Sequence, residues 1–379
     1  MTVRDSAGIR IVEHSRAAWE QRQEWAVAAE PAVTIGGSGD PADDLNEVVG
    51  GYLGQNGEII FADGPARAIR IHAPDGSQLR SLGGRGAGPG EFSSITALWP
   101  RGDSTAVYDI SAKRLTVAPH DGSPPRIATI RSSGLLQWMQ GSADGRLVTR
   151  RADVEGLLAV GAASTRIPEF ILVISPDGSS TDTILTIAGP ALYQRAEASG
   201  FSGPAPVGLG PDSEILVLGD SIVIGTNESY ALTTYDLAGR PVRIVRIAVP
   251  APPVEGQDIE LVRQKAWEEF EPRSSGMPEE MVTQYRAFLD DQRYAGQFPF
   301  YGVLAADPAG HLWVQDYPRP ADAEERFTVF DREGRLVARV RMPPGLHFLA
   351  AGDDAILGLW RDADDVEQVR VHRLIRPER

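Results

Sequence analysis

The chain is predicted to be all-β, a six-bladed β-propeller of four-stranded antiparallel blades. Three observations lead there. Short apolar runs bounded by turn residues recur along almost all of its 379 residues. Turn signatures return about every 40–50 residues, with four runs per unit, a spacing that marks propellers. Forty Gly and 28 Pro are scattered without a three-residue period, which excludes collagen and suits many short elements joined by tight turns.

The first unit is the clearest. Apolar runs at Glu47–Leu53, Glu58–Ala62, Ala68–His72 and Gln78–Leu82 are separated by Gly54-Gln55-Asn56-Gly57, Asp63-Gly64-Pro65 and Pro74-Asp75-Gly76. Asn-Gly and Asp-Gly pairs supply the positive φ that tight hairpins need. The turn before the last strand returns as Asp121-Gly122, Asp177-Gly178, Ala238-Gly239 and Glu333-Gly334. First strands are placed near residues 47, 94, 135, 205, 300 and 346. The last unit supplies only three strands: His347–Ala351, Ala355–Trp360 and Glu367–Leu374. Trp25–Ile35 is expected to add the fourth, because a ring left open would expose strand edges. The chain is thus one domain, with residues 1–23 as an N-terminal extension.

Four connections are long: Arg150–Glu169, Ala188–Pro204, Pro250–Phe298 and Asp316–Glu325. In a propeller all four emerge on the face where first strands begin. The third, at 250–298, is a helical insertion between blades four and five. Asp258 is placed to cap a helix carrying Ile259, Val262, Ala266, Trp267 and Phe270 at a 3.6-residue period, ending at Pro272. Pro278 opens a second, with Met281, Tyr285, Phe288 and Leu289. These helices either pack the rim between two blades or form a lid that shapes a ligand site.

Phe61-Ala62-Asp63-Gly64-Pro65-Ala66-Arg67-Ala68-Ile69-Arg70-Ile71, then Pro74-Asp75-Gly76, then Leu82 through Phe92 resembles an NHL repeat. It is similar to the bacterial six-bladed propellers related to that group. The opening Arg4-Asp5-Ser6-Ala7-Gly8-Ile9-Arg10-Ile11-Val12 resembles the mature start of such exported proteins. The resemblance implies a periplasmic or secreted location. Met1–Ser6 lacks the apolar core of a secretory signal.

Charge and composition remove several classes of function. Fifty-two acidic residues against 37 basic ones give a net charge of -15, which disfavours nucleic acid. The absence of cysteine removes thiolate metal sites and a Cys nucleophile. No apolar run approaches the roughly 18 residues of a membrane span. The six histidines do not cluster in the strand pattern, so a zinc lyase is disfavoured. Gly83–Gly90 lacks the Lys-Ser/Thr of a phosphate loop and is read as a crossover between units. No Gly-x-Ser-x-Gly elbow occurs. Trp99, Trp313 and Trp360 fall on strand-rhythm positions and are assigned to packing.

The candidate site residues converge on the elaborated face. Glu47 opens a first strand, Asp63, Asp109 and Asp316 close second strands, and Asn227 holds the comparable place in unit four. His347, at the start of an innermost strand, is the histidine placed to reach the channel mouth. An oxygen-rich ring of this kind suits calcium, which takes six to eight oxygen ligands. Alternatively Arg67 and Arg114 balance Asp63 and Asp109 within their loops. Two functions stay open. One is an extracytoplasmic, monomeric binding or interaction propeller for a small molecule, glycan or peptide, with these residues as ligand contacts. The other is a calcium-type hydrolase of lactones or phosphoesters, resembling in outline the calcium-dependent lactonase and phosphotriesterase propellers, with His347 as proton carrier.

Overall fold

In the computed structural model, residues 1–37, 44–132, 134, 136–195, 203–362 and 364–377 are described. The protein is nearly all-β, built of curled sheets. Antiparallel sets run in chain order. The first comprises Val48–Leu53, Ile59–Asp63, Ala68–His72 and Gln78–Gly83. The second comprises Ile95–Pro100, Ser104–Asp109, Arg114–Pro119 and Arg126–Thr129. Later sets begin at Leu136, Glu214, Tyr301 and His347. Each innermost strand lies against the next, and His347–Ala351 lies against Val48–Leu53, so the ends of the series meet.

Alternation explains the packing. Buried side chains gather in clusters between neighbouring sets, each fed by alternate residues of two sheets. Val12, Tyr230, Tyr301 and Phe330 form one cluster; Trp25, Trp313, Phe327 and Val340 form another. Ile35, Leu45, Phe61 and Leu357 join the last set to the first. Trp313, Phe327 and Phe330 are fully buried, each contributing on the order of 2–3 kcal/mol by leaving water. Trp99 is also core, whereas Trp360 is half-buried with the Arg370 guanidinium 3.7 Å from its ring centre.

The segment expected as one closing strand, Trp25–Ile35, divides in two. Gln23–Val27 runs parallel to Leu336–Arg341 of the fifth set, and Ala26 and Val27 also pair with the end of Glu367–Ile375. Val33–Ile35 pairs with Val369–Val371 of the same strand as the fourth strand of the last set. Pro31, which has no N–H for a ladder, lies in the break. Residues 1–20 are structured as well. Thr2–Ser6 and Ile9–Ser15 form a hairpin whose second strand extends the fourth set in parallel, and Arg16–Glu20 is a short helix capped by Ser15.

The fourth set begins at Glu214, not near 205. Gly203–Pro206 instead pairs with the 15-residue strand Thr181–Arg195 as a fifth strand of the third set. Pro204 and Pro206 cannot donate to a ladder, which confines this piece to an edge. The expected loop Ala188–Pro204 is therefore strand to Arg195, and residues 196–202 lie outside the described set. Gly83–Gly90 connects the first set to the second. A Cβ on Gly83, at φ +103°, would stand 2.5 Å from the Phe92 ring, which accounts for glycine there.

Gly256–Phe270 and Glu279–Asp290 are helices lying between Pro241–Ala248 and Tyr301–Ala306. Asp258 is not the cap residue; it lies in the first turn, and its carboxylate accepts the Glu255 N–H at 2.8 Å. No residue of either helix is buried. They hold each other through Phe270 and Tyr285, stacked at 3.9 Å, and Arg286 over Trp267 at 4.3 Å. Arg195 donates to the Phe288 carbonyl at 2.8 Å and Lys265 to that of Pro320 at 2.7 Å.

Candidate functional site

Two of the predicted site residues, Asp63 and Asp109, bind their own turns. Asp63 is buried; it accepts the Ala66 N–H at 3.0 Å and pairs with Arg70 at 2.5 Å. Arg67 is not its partner. Asp109 is fully buried and accepts the N–H groups of Ser93 (2.6 Å) and Ala112 (2.9 Å). Arg114 instead donates to carbonyls of the glycine loop, including Ala87 at 3.1 Å. The expected arginine balance is therefore corrected, because Arg70, on the strand paired with that of Asp63, takes the place given to Arg67, and Asp109 is already met by backbone donors. Asn227, at φ +47°, accepts the Asp212 N–H at 3.0 Å and donates to the Tyr301 carbonyl at 3.1 Å. Glu47 is exposed, with φ +56°. His347 is also exposed and shares a hydrogen bond of 3.0 Å with Glu325, which raises its pKa. Among the described residues no group of three or more His, Asp or Glu side chains could hold a metal ion. The oxygen ligands are not gathered, since Asp63 and Asp109 are taken up by backbone N–H groups beside them and Asn227 by Asp212 and Tyr301.

Of these residues, Asp316 lies in a cavity. A groove of about 360 Å³ opens beside it, on the face that carries the long connections. Its walls come from the base of the helical segment (Val249–Pro253, Pro299, Phe300), from the 316–325 connection, and from Trp19 and Tyr230. Prolines suit this wall, since they bring apolar surface without an N–H left to satisfy. Asp316 keeps 22% of its side-chain surface exposed and accepts the Thr328 hydroxyl at 3.0 Å. Arg22, its side chain 2% exposed, stands 3.9 Å away, stacked on Trp19 at 4.5 Å and donating to Thr328 at 3.1 Å. Burial pushes the Asp316 carboxyl up, against the pull of Arg22, the Thr328 hydroxyl, Arg339 and Arg326. Burial, with Arg339 close by, lowers Arg22 to about 10. Tyr230 is buried; its hydroxyl faces that of Thr328 without a hydrogen bond of ordinary geometry.

A second cavity, of about 1070 Å³, runs between the innermost strands. It is the passage that a closed ring of sheets leaves open, lined chiefly by apolar side chains such as Leu98, Met139 and Phe348. It reaches the opposite face, among the short turns near Asn56, Asp103 and Asp353. His120 lines it, 3.0 Å from the Thr105 hydroxyl, with its pKa lowered by burial.

The sequence reading missed a cluster at the inner end of the third and fourth sets. Buried Glu169 lies 3.5 Å from Arg150, which stands 4.0 Å from Asp212, and Arg166 pairs with Glu228 at 2.8 Å. Glu214, beside them, is raised to about 7, first by burial and then by the Asp212 charge, with Arg150 opposing. Glu214 opens an innermost strand much as Glu47 precedes one. That signal could be read once the strand is placed at 214 rather than 205.

No family model matches the chain, and no curated protein matches it. Among solved structures it is similar to a member of the DUF4221 family from Bacteroides vulgatus. The identity is 9% and the TM-score 0.53, over 93% of this chain and 99% of that one. A protein from Bacteroides fragilis assigned as exported gives 14% identity and a TM-score of 0.49, over 97% and 100%. Regucalcin from Agrobacterium tumefaciens, described as a calcium-binding protein, gives 10% and 0.42, over 94% and 98%. At such identities the likeness bears on fold alone, and it is the series of curled antiparallel sheets whose ends meet that makes this fold propeller-type.

Proposed function

We propose that the chain is a binding propeller, six-bladed and NHL-repeat-like, whose small-molecule or peptide ligand sits in the groove beside Asp316. One observation carries this reading: two long connections and the N-terminal segment together build a concave apolar wall with charged groups at its base. Ligand sites commonly combine those features, and loops on a rigid scaffold commonly supply them. The central passage, by contrast, needs no loop to exist. A cation-dependent hydrolase lacks a gathered ligand set among the described residues, so binding leads. The likeness of residues 4–12 to exported bacterial propellers supports work outside the cytoplasm.

The test is a thermal-shift and NMR screen of amino acids, short peptides, sugars and aromatic acids. It uses the parent chain and Pro250→Trp, which narrows the exposed rim of the groove. Hits lost in Pro250→Trp support the reading. Hits that persist there and shift instead with substitutions at Leu98 or Phe348 move the site to the central passage.

A further inference from the structure

We propose that the groove selects a ligand with one carboxylate head on an apolar, aromatic-sized body; this rests on the reading of the groove as the binding seat. The argument begins with Arg339. It lines the groove on strand Leu336–Arg341, half-buried, and among the described residues its guanidinium makes neither an ion pair nor a hydrogen bond. Its Nε is buried without a partner. A guanidinium partly withdrawn from water with open donors is costly unless something fills them.

The neighbouring arginines differ from it in partners or in exposure. Arg326 pairs with Asp322 at 2.9 Å and Arg16 with Glu20 at 2.7 Å. Arg319 lies over the Phe298 ring at 5.5 Å, and Arg22 is buried against Trp19 and Thr328. Arg339 is therefore the half-buried fork left open in the wall, Arg319 being exposed to water, and it stands near Arg22, whose charge it disfavours. A planar carboxylate matches a guanidinium in two parallel hydrogen bonds and would relieve that repulsion.

The acids in the same wall limit the ligand's charge. Asp316, Asp322 and Glu324 line the groove, so a phosphate dianion would meet three carboxylates where a carboxylate brings a single charge. The body is set by Phe300, the Tyr317 ring and the prolines at 250, 252 and 299, which offer mainly apolar faces, the Tyr317 hydroxyl being the side-chain donor among them. A cavity of about 360 Å³ has room for a bicyclic aromatic group.

Calorimetric titration of 2-naphthoate, 2-naphthamide and naphthyl phosphate separates the claims. The carboxylate is expected to bind roughly tenfold tighter than the amide, the scale of one charge-assisted hydrogen-bonded pair. Arg339→Gln should bring the two to parity with its melting curve kept, while Pro250→Trp should abolish both. Equal binding of acid and amide by the parent, lost in Pro250→Trp, overturns the carboxylate inference and leaves the groove as the seat. Preference for the phosphate overturns the charge argument. Absence of binding by all three removes the groove reading along with the inference.

Discussion

Replacing Glu214 by Gln should stabilise the protein at pH 8 and leave it unchanged at pH 4. In the folded chain this carboxyl is raised from 4.5 to about 7 by burial and by Asp212, with Arg150 opposing. The unfolded chain therefore gives up this proton first as pH rises. Stability present below about 4.5 is lost between 4.5 and 7, and above 7 the loss is complete. At about 1.4 kcal/mol per pH unit, ionising the folded form costs on the order of 3 kcal/mol more than ionising the unfolded one. Glu214 is half-buried, so solvent screening reduces this to about 2 kcal/mol. Unfolding entropy near 2 cal/mol/K per residue makes each kcal/mol worth roughly 1–1.5 °C in a chain of this length. The expected gain for Glu214→Gln is therefore roughly 2–3 °C at pH 8. Scanning calorimetry of parent and variant in steps from pH 4 to pH 8 reads the difference directly. Parallel curves across that range would show that Glu214 titrates as an ordinary surface carboxyl, and the burial argument would fail.

Other perturbations test the packing and the loops. Asp63→Asn leaves Arg70 without its anion in a mostly buried site and should cost about 3 kcal/mol by denaturant titration, equally with calcium and with chelator. Asp109→Asn sets an amide N–H₂ against a backbone donor, from Ser93 or Ala112, and should cost about 1–3 kcal/mol, again without calcium dependence. A melting shift appearing only with calcium would restore a metal role to either residue. Trp25→Ala removes a buried ring packed on Trp313 and under Arg376 and should cost about 3–5 kcal/mol; a loss below 1 would mean the strand is dispensable. Replacing residues 257–290 by a Gly/Ser linker should keep the β circular-dichroism signal, because no helix residue is buried. Collapse of that signal would place the helices in the core.

Strand rhythm could be read from the sequence because alternation and Asp-Gly turns are local. The first set, from Val48 to Gly83, lies within a residue or two of its predicted strands. The departures came from pairings decided at long range. Nothing within Trp25–Ile35 says that Gln23–Val27 belongs beside Leu336–Arg341 while Val33–Ile35 belongs beside Glu367–Ile375. Likewise Gly203–Pro206 looks like a first strand until Thr181–Arg195 is long enough to take it as an edge. The site was harder. Asp63 and Asp109 lie at the ends of second strands as predicted, but that position also suits a carboxylate that binds its own turn, and backbone N–H groups satisfied them. The groove owes its shape to Trp19, Tyr230, Pro250 and Asp316, drawn from four distant stretches. No spacing rule links those positions.

The pairing of Gln23–Ile35 with the last strands has a consequence for synthesis. Residues 23–35 leave the ribosome about 300 residues ahead of their partners, which lie at 338–340 and 369–375. At about 5–20 residues per second, the interval is roughly 20–70 s. Throughout it these strands have no ladder to join. A chain terminated before residue 367 offers Val33–Ile35 nothing to pair with, and its first and last sheets cannot be joined through that strand. Completion of the ring thus waits on synthesis of residues 367–375, and a product ended before them exposes strand edges that degradation and quality-control machinery can recognise.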